Sequence, residues 1–134
     1  MDIYAQNIMD HYKNPRNFGR IDDPTASRHE ANPLCGDVLD IDVRVEGGVV
    51  KKIGFSGEGC AISQAAMSIV GEALTGKKVG EALALGESDV LKLLGVSVTE
   101  RRKRCALLGL LGIQNILLAA EGKPEKKWSE ILGG

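Results

Sequence analysis

Between Val38 and Glu46 apolar and polar residues alternate, with Leu39, Ile41, Val43 and Val45 on one side and Asp40, Asp42, Arg44 and Glu46 on the other. Successive strand side chains point to opposite faces, so this period of two predicts a strand with one buried and one solvated face. Gly47-Gly48 comes next. Two glycines tolerate the positive φ of a tight hairpin turn, and Val49 to Phe55 is expected to return as the antiparallel partner. After Ser56-Gly57-Glu58-Gly59 the period lengthens. Ile62, Ala65, Ala66, Ile69, Val70, Ala73 and Leu74 share one helical face that ends at Gly76, which puts Cys60 at a helix entrance.

Nearer the N-terminus, Tyr4, Ile8 and Tyr12 recur every four residues; Asp2 suits the cap of that helix and Asn14-Pro15 its stop. From Arg16 to Pro33 no period is sustained, and the stretch reads as irregular coil around a short strand. Downstream, short helices are expected from Val79 to Leu85 and from Ser88 to Leu94. A longer one, capped by Thr99, runs to Ala120 before Gly122 and Pro124, with Cys105 in its first turns. A last amphipathic segment, Glu125 to Leu132, carries Trp128. The order predicts an α+β domain, a small antiparallel sheet with helices packed on one face, occupying 1–134 as a single unit.

Composition narrows the function. A chain of 134 residues, 43% hydrophobic and 26% charged, suits one globular core and neither a fibrous nor a disordered architecture. A net charge of -1 supplies no field toward nucleic acid or an anionic membrane. The basic run Arg101 to Arg104 reads as a solvated helix start, since nucleic-acid binding needs a wider patch interleaved with aromatics. No uninterrupted apolar stretch reaches spanning length, and the first residues lack the pattern of a secretory signal. A cytoplasmic location is the expectation, with no nucleic acid and no membrane as partner.

Three cysteines cannot all pair, so they are free thiols or ligands. Cys35 sits in Asn32-Pro33-Leu34-Cys35-Gly36-Asp37, where proline and glycine make an exposed bend and Asp37 brings a carboxylate near the thiol. Cys60 opens a helix, where free N–H groups and the positive dipole end favour a thiolate. Cys105 follows Arg101-Arg102-Lys103-Arg104, cations expected to lower its pKa. The competing reading is that each cysteine is a small buried hydrophobe. With no C-x-x-C pair, a metal site has to be assembled in three dimensions. His11 reads as a helix-end residue, and His29 falls in the irregular stretch.

Asp2-Ile3-Tyr4, His11 to Asn17, Asn32 to Asp37, Gly57 to Ser63 and Lys103 to Leu108 lie in order along nearly the whole chain. Taken together they resemble the IscU/NifU N-terminal/SufU family of iron–sulfur cluster assembly scaffolds. The resemblance implies an IscU/SufU-like fold with Cys35, Asp37, Cys60 and Cys105 gathered as the metal and cofactor site. It implies a [2Fe–2S] cluster or iron as occupant, with zinc as the alternative, and a cysteine desulfurase that delivers persulfide sulfur to Cys105. Recipient apo iron–sulfur proteins would take the product, Tyr4 would contact partners, and association into a homo-oligomer is open. The function so implied is assembly and transfer of [2Fe–2S] clusters; the alternative is a zinc-containing SufU-like sulfurtransferase.

Three departures from the family pattern stand out. Arg104 occupies the place where many IscU members carry histidine, which leaves Asp37 as the natural fourth ligand and leans toward zinc. The insertion of SufU-type members between the second and third cysteines is absent, which leans toward cluster assembly. Val96-Ser97-Val98-Thr99-Glu100 replaces the Leu-Pro-Pro-Val-Lys segment of chaperone-dependent scaffolds.

Overall fold

The computed structural model describes residues 3–133, with side chains from Ala5 onward. The cap expected at Asp2 and the contacts expected of Tyr4 lie outside the described residues. The elements are α1 (Ile3–Lys13), β1 (Ala26–Asn32), β2 (Asp37–Glu46), β3 (Val49–Glu58), α2 (Ala61–Leu74), α3 (Val79–Ala84), α4 (Glu87–Leu94), α5 (Glu100–Ala120) and α6 (Trp128–Ile131). The three strands form one antiparallel sheet in the order β1-β2-β3. The expected α+β architecture is the one observed.

The hairpin forms where alternation placed it. Leu39, Ile41 and Val43 are fully buried, and Gly47 and Gly48 turn with φ of 58° and 74°. Against this face lies α5, buried from Cys105 to Leu117 and apolar there except at Gln114 and Asn115. By length and hydropathy α5 could also cross a membrane, although Gln114 and Asn115 interrupt its apolar run; 78% of that window is buried inside the protein. Two glycines allow its close approach: a Cβ at Gly112 would lie 2.6 Å from Ile41 Cδ1, and one at Gly109 would lie 2.7 Å from Met67 Sδ on α2. The two helices and the sheet therefore share one core.

The region from Arg16 to Pro33 is more ordered than its sequence suggests. β1 spans seven residues, and its inward positions are Ala26, Arg28, Glu30 and Asn32. Arg28 pairs with Glu30 and with Glu125, so the face under α5 is held by ions where a hydrophobic pattern would have advertised it. On the other face Arg20 grips buried Asp42 at 2.6 and 2.9 Å, with Ser27 and the Ile21 N–H also donating. Burial would raise the Asp42 pKa, but these donors hold the carboxyl below its usual range. His11 behaves as the helix-end residue expected: it is buried, with Nδ1 2.7 Å from Ser68 Oγ on α2, and that hydroxyl accepts the Arg16 N–H.

Candidate metal centre

Asp37 opens β2 at one end of the sheet, directly across from Asn32 at the end of β1. Between them the chain reverses in four residues. The N–H groups of Cys35 and Gly36 both donate to the Asn32 carbonyl, at 3.2 and 2.8 Å, and Gly36 takes the left-handed φ of 73° that such a bend needs. Cys35 is thereby held exposed at the tip.

The second cysteine arrives from the far edge. Gly59, with φ of 153°, brings the β3–α2 loop onto Asp37 so closely that a Cβ there would stand 2.3 Å from Asp37 Oδ1. Cys60 is the N-cap of α2, and its backbone N–H donates to that same oxygen at 2.9 Å. Its side chain makes no capping hydrogen bond. The third cysteine lies near the start of α5, whose first turn is closed by Thr99 accepting from the Arg102 N–H. Cys105 is 1% exposed and forms the floor of the site.

The result is a convergence of residues remote in sequence. The sulfur atoms of Cys35 and Cys105 and a carboxylate oxygen of Asp37 lie within 4.8 Å of one another. Cys60 is outside that trio, yet it lines the same cleft of about 380 Å³ with Leu34, Cys35, Arg101, Arg102 and Cys105. Three of the four residues expected to gather do so, and the fourth, Cys60, faces the same cleft without joining them.

Asp37 is fully buried, and its Oδ2 is the one buried side-chain oxygen or nitrogen without a hydrogen-bond partner among the described residues. An orphaned buried acceptor costs about 1–3 kcal/mol, and a cation held beside it removes that cost. Two sulfur donors, a third in the cleft and one carboxylate oxygen form a set that suits zinc or iron. The residues present therefore fit the metal group that the sequence resemblance implies.

The electrostatics differ from the sequence reading at one point. The cations before Cys105 do not lower its pKa: burial pushes the thiol up, reinforced by Asp37, Cys35 and the charge of Cys60. Lys103 is engaged by Glu87 and Glu100, and Arg104 lies 5.5 Å over the Trp128 ring, so neither serves the sulfur. Only Arg101 and Arg102 reach the cleft, at its rim. His29 pairs with Asp40 at 2.8 Å in an exposed contact on the sheet, and neither residue lines the cleft.

Sequence reasoning passed over one residue of the site. Asn32 is fully buried, and its Nδ2 lies 3.6 Å from Cys105 Sγ. A fully polar amide beside Pro33 in a cysteine-bearing bend was the available signal.

Similarity to known proteins agrees with this geometry. The chain matches the NifU-like N terminal domain family over residues 3–127. It is 34% identical to the zinc-dependent sulfurtransferase SufU of Bacillus subtilis, across 90% of this chain and 92% of that one. It is 30% identical to the iron-sulfur cluster assembly scaffold protein IscU of Escherichia coli, across 92% and 98%. Among solved structures, the putative iron-sulfur cluster assembly scaffold protein for the SUF system from Fervidobacterium islandicum superposes with a TM-score of 0.75 at 25% identity, covering 86% of this chain and 96% of that one. The chain belongs to the NifU-like N terminal domain family.

Proposed function

We propose that this protein is a scaffold on which [2Fe–2S] clusters are assembled from iron and persulfide sulfur and from which they are passed on. Its partners are then a cysteine desulfurase and recipient apo iron–sulfur proteins, and its reducing surroundings are those of the cytoplasm. The observation that carries the reading is the meeting of Cys35, Asp37 and Cys105 within 4.8 Å, beside a carboxylate oxygen left without a partner. Cys35, Asp37, Cys60 and Cys105 are the residues that hold the cargo. A bound metal supplies the positive charge that keeps buried thiols ionised.

Each residue contributes differently. Three thiolates with one harder oxygen make a less closed shell than four thiolates, so Asp37 is the point at which the cargo is released. Cys105 is the final acceptor of persulfide sulfur. Because it forms the floor and Cys35 is exposed, the first attack falls to Cys35. Its thiolate takes the outer sulfur of the donor persulfide and releases the donor's thiolate. The Cys105 thiolate then takes that sulfur from Cys35, which returns to a thiolate. Arg101 and Arg102 at the rim offer positive charge to the incoming anionic persulfide.

The second reading, a zinc-containing sulfurtransferase that accepts persulfide sulfur and passes it on without building a cluster, is favoured by Arg104. Its stacking on Trp128 leaves the place beside Cys105 without a nitrogen ligand. Anaerobic purification with metal and acid-labile sulfide analysis, then desulfurase-driven reconstitution followed by visible absorption, separates the two. Iron with sulfide supports the scaffold. Tight zinc that resists replacement, together with stimulated desulfurase turnover, supports the sulfurtransferase.

A further inference from the structure

Cys105 is 1% exposed, and a sulfur ligand in such a place needs a donor as well as a metal. The neighbouring cations do not provide one: Lys103 is engaged by Glu87 and Glu100, and Arg104 by Trp128. The contact that reaches the sulfur comes from the opposite side, from Asn32 Nδ2 at 3.6 Å. The orientation of that amide is fixed by a backbone donor. Asn32 Oδ1 accepts the Leu34 N–H at 3.3 Å, which leaves the amide NH2 to face the sulfur.

Asn32 also controls the first cysteine. Its carbonyl accepts the N–H groups of Cys35 and Gly36, and its Cα pairs across the sheet with Asp37. One buried residue thus touches the bend bearing Cys35, the strand position of Asp37 and the sulfur of Cys105. We propose that Asn32 is a positioning residue of the metal centre, whose side-chain N–H donates to the Cys105 sulfur and holds it in the ligand orientation beside Cys35 and Asp37. This rests on the reading of the four residues as a metal site and is independent of whether the occupant is a cluster or zinc.

The physical consequence is specific. A neutral N–H donor withdraws electron density from a thiolate without adding charge, so it orients the ligand and lowers the energy of the sulfur lone pairs. Losing such a partner costs about 10–100-fold in metal affinity. It also raises the lone-pair energy, so the sulfur-to-metal charge-transfer band moves to lower energy.

Cobalt(II) added to the metal-depleted protein reads this directly. Wild type is expected to give a thiolate-to-cobalt band. Asn32→Asp, which keeps an acceptor for the Leu34 N–H but loses the donor, is expected to bind cobalt about 10–100-fold more weakly with a red-shifted band. The shift should be absent when Asn32→Asp is made in a Cys105→Ser background. If Asn32→Asp fails to fold, the unmutated protein loaded with NMR-active cadmium decides, through scalar coupling between the metal and the Asn32 side-chain protons. An unmoved band in a folded variant, or no coupling in the cadmium form, overturns the assignment of Asn32. The lack of any thiolate-to-cobalt band in wild type would instead overturn the metal site itself.

Discussion

The backbone N–H of Cys60 donates to Asp37 Oδ1 at 2.9 Å, while Asp37 Oδ2 has no partner. One carboxylate therefore has two environments: one oxygen accepts from the start of α2, and the other is unpartnered, the oxygen that the proposed function assigns to the cargo. The positive end of a 14-residue helix beside that carboxylate further favours negative charge in the site.

The two roles separate by mutation. Asp37→Asn retains an oxygen for the Cys60 N–H and removes the charged ligand, whereas Asp37→Ala removes both. Cluster transfer to an apo acceptor should slow by about 10-fold or more in each, from the loss of the release point. Only the alanine variant should also lose about 1–2 kcal/mol of stability, from the broken bond to the helix start. Transfer kinetics and denaturant melts read the two effects independently, and unchanged transfer in both variants removes Asp37 from the release step.

Gly59 sets how closely the loop approaches that carboxylate. In Gly59→Ala the new methyl would stand 2.3 Å from Asp37 Oδ1 and 2.9 Å from Ser63 Oγ, at a φ that side chains disfavour. We expect a loss of about 1–3 kcal/mol and weaker metal binding from a displaced Asp37. Chelator competition alongside thermal melting checks both.

Thiol reactivity should follow depth. Cys35 is exposed, Cys60 intermediate and Cys105 buried, and burial keeps the Cys105 thiol protonated well above the ordinary cysteine range. Metal-depleted protein treated with iodoacetamide should alkylate first at Cys35 and last at Cys105, read by peptide mass mapping. Early modification of Cys105 contradicts the placement of α5.

Stability should depend on pH through His11. Burial depresses its pKa below the ordinary 6.5, the Arg16 charge adds to this, and Glu72 and Asp10 oppose it. The folded protein binds this proton less readily than the unfolded chain. The contribution is therefore complete above 6.5 and lost as pH falls from there toward the depressed value. His11→Gln should flatten this part of the pH–stability profile without changing metal binding.

Some of this architecture was legible because burial and hydrophobicity coincide in it. The β2–β3 hairpin and α2 each show the period of their element, and α5 is marked by its Thr99 cap and by Gly122 and Pro124 beyond its end. β1 was legible only as a short strand without bounds, because Arg28, Glu30 and Asn32 occupy its inward positions and are satisfied by ions and amide contacts that no hydrophobic period reveals. At the site the meeting of Cys35 and Asp37 with Cys105 could be read, and two features could not. The raised thiol of Cys105 depends on how α5 packs, and the cations beside it in sequence are turned to Glu87, Glu100 and Trp128. Cys60 stands outside the trio, at the N-cap of α2, a separation set by how the β3–α2 loop folds back on Asp37.

The central claim is that these sulfurs and this carboxylate hold one metal centre. X-ray absorption fine structure at the zinc edge, recorded on the zinc-loaded full chain, tests it most directly. The account predicts three sulfur neighbours at about 2.3 Å and one oxygen near 2.0 Å, with one sulfur lost in each of Cys35→Ser, Cys60→Ser and Cys105→Ser. A first shell of oxygen and nitrogen alone, or one that none of these substitutions changes, would contradict it.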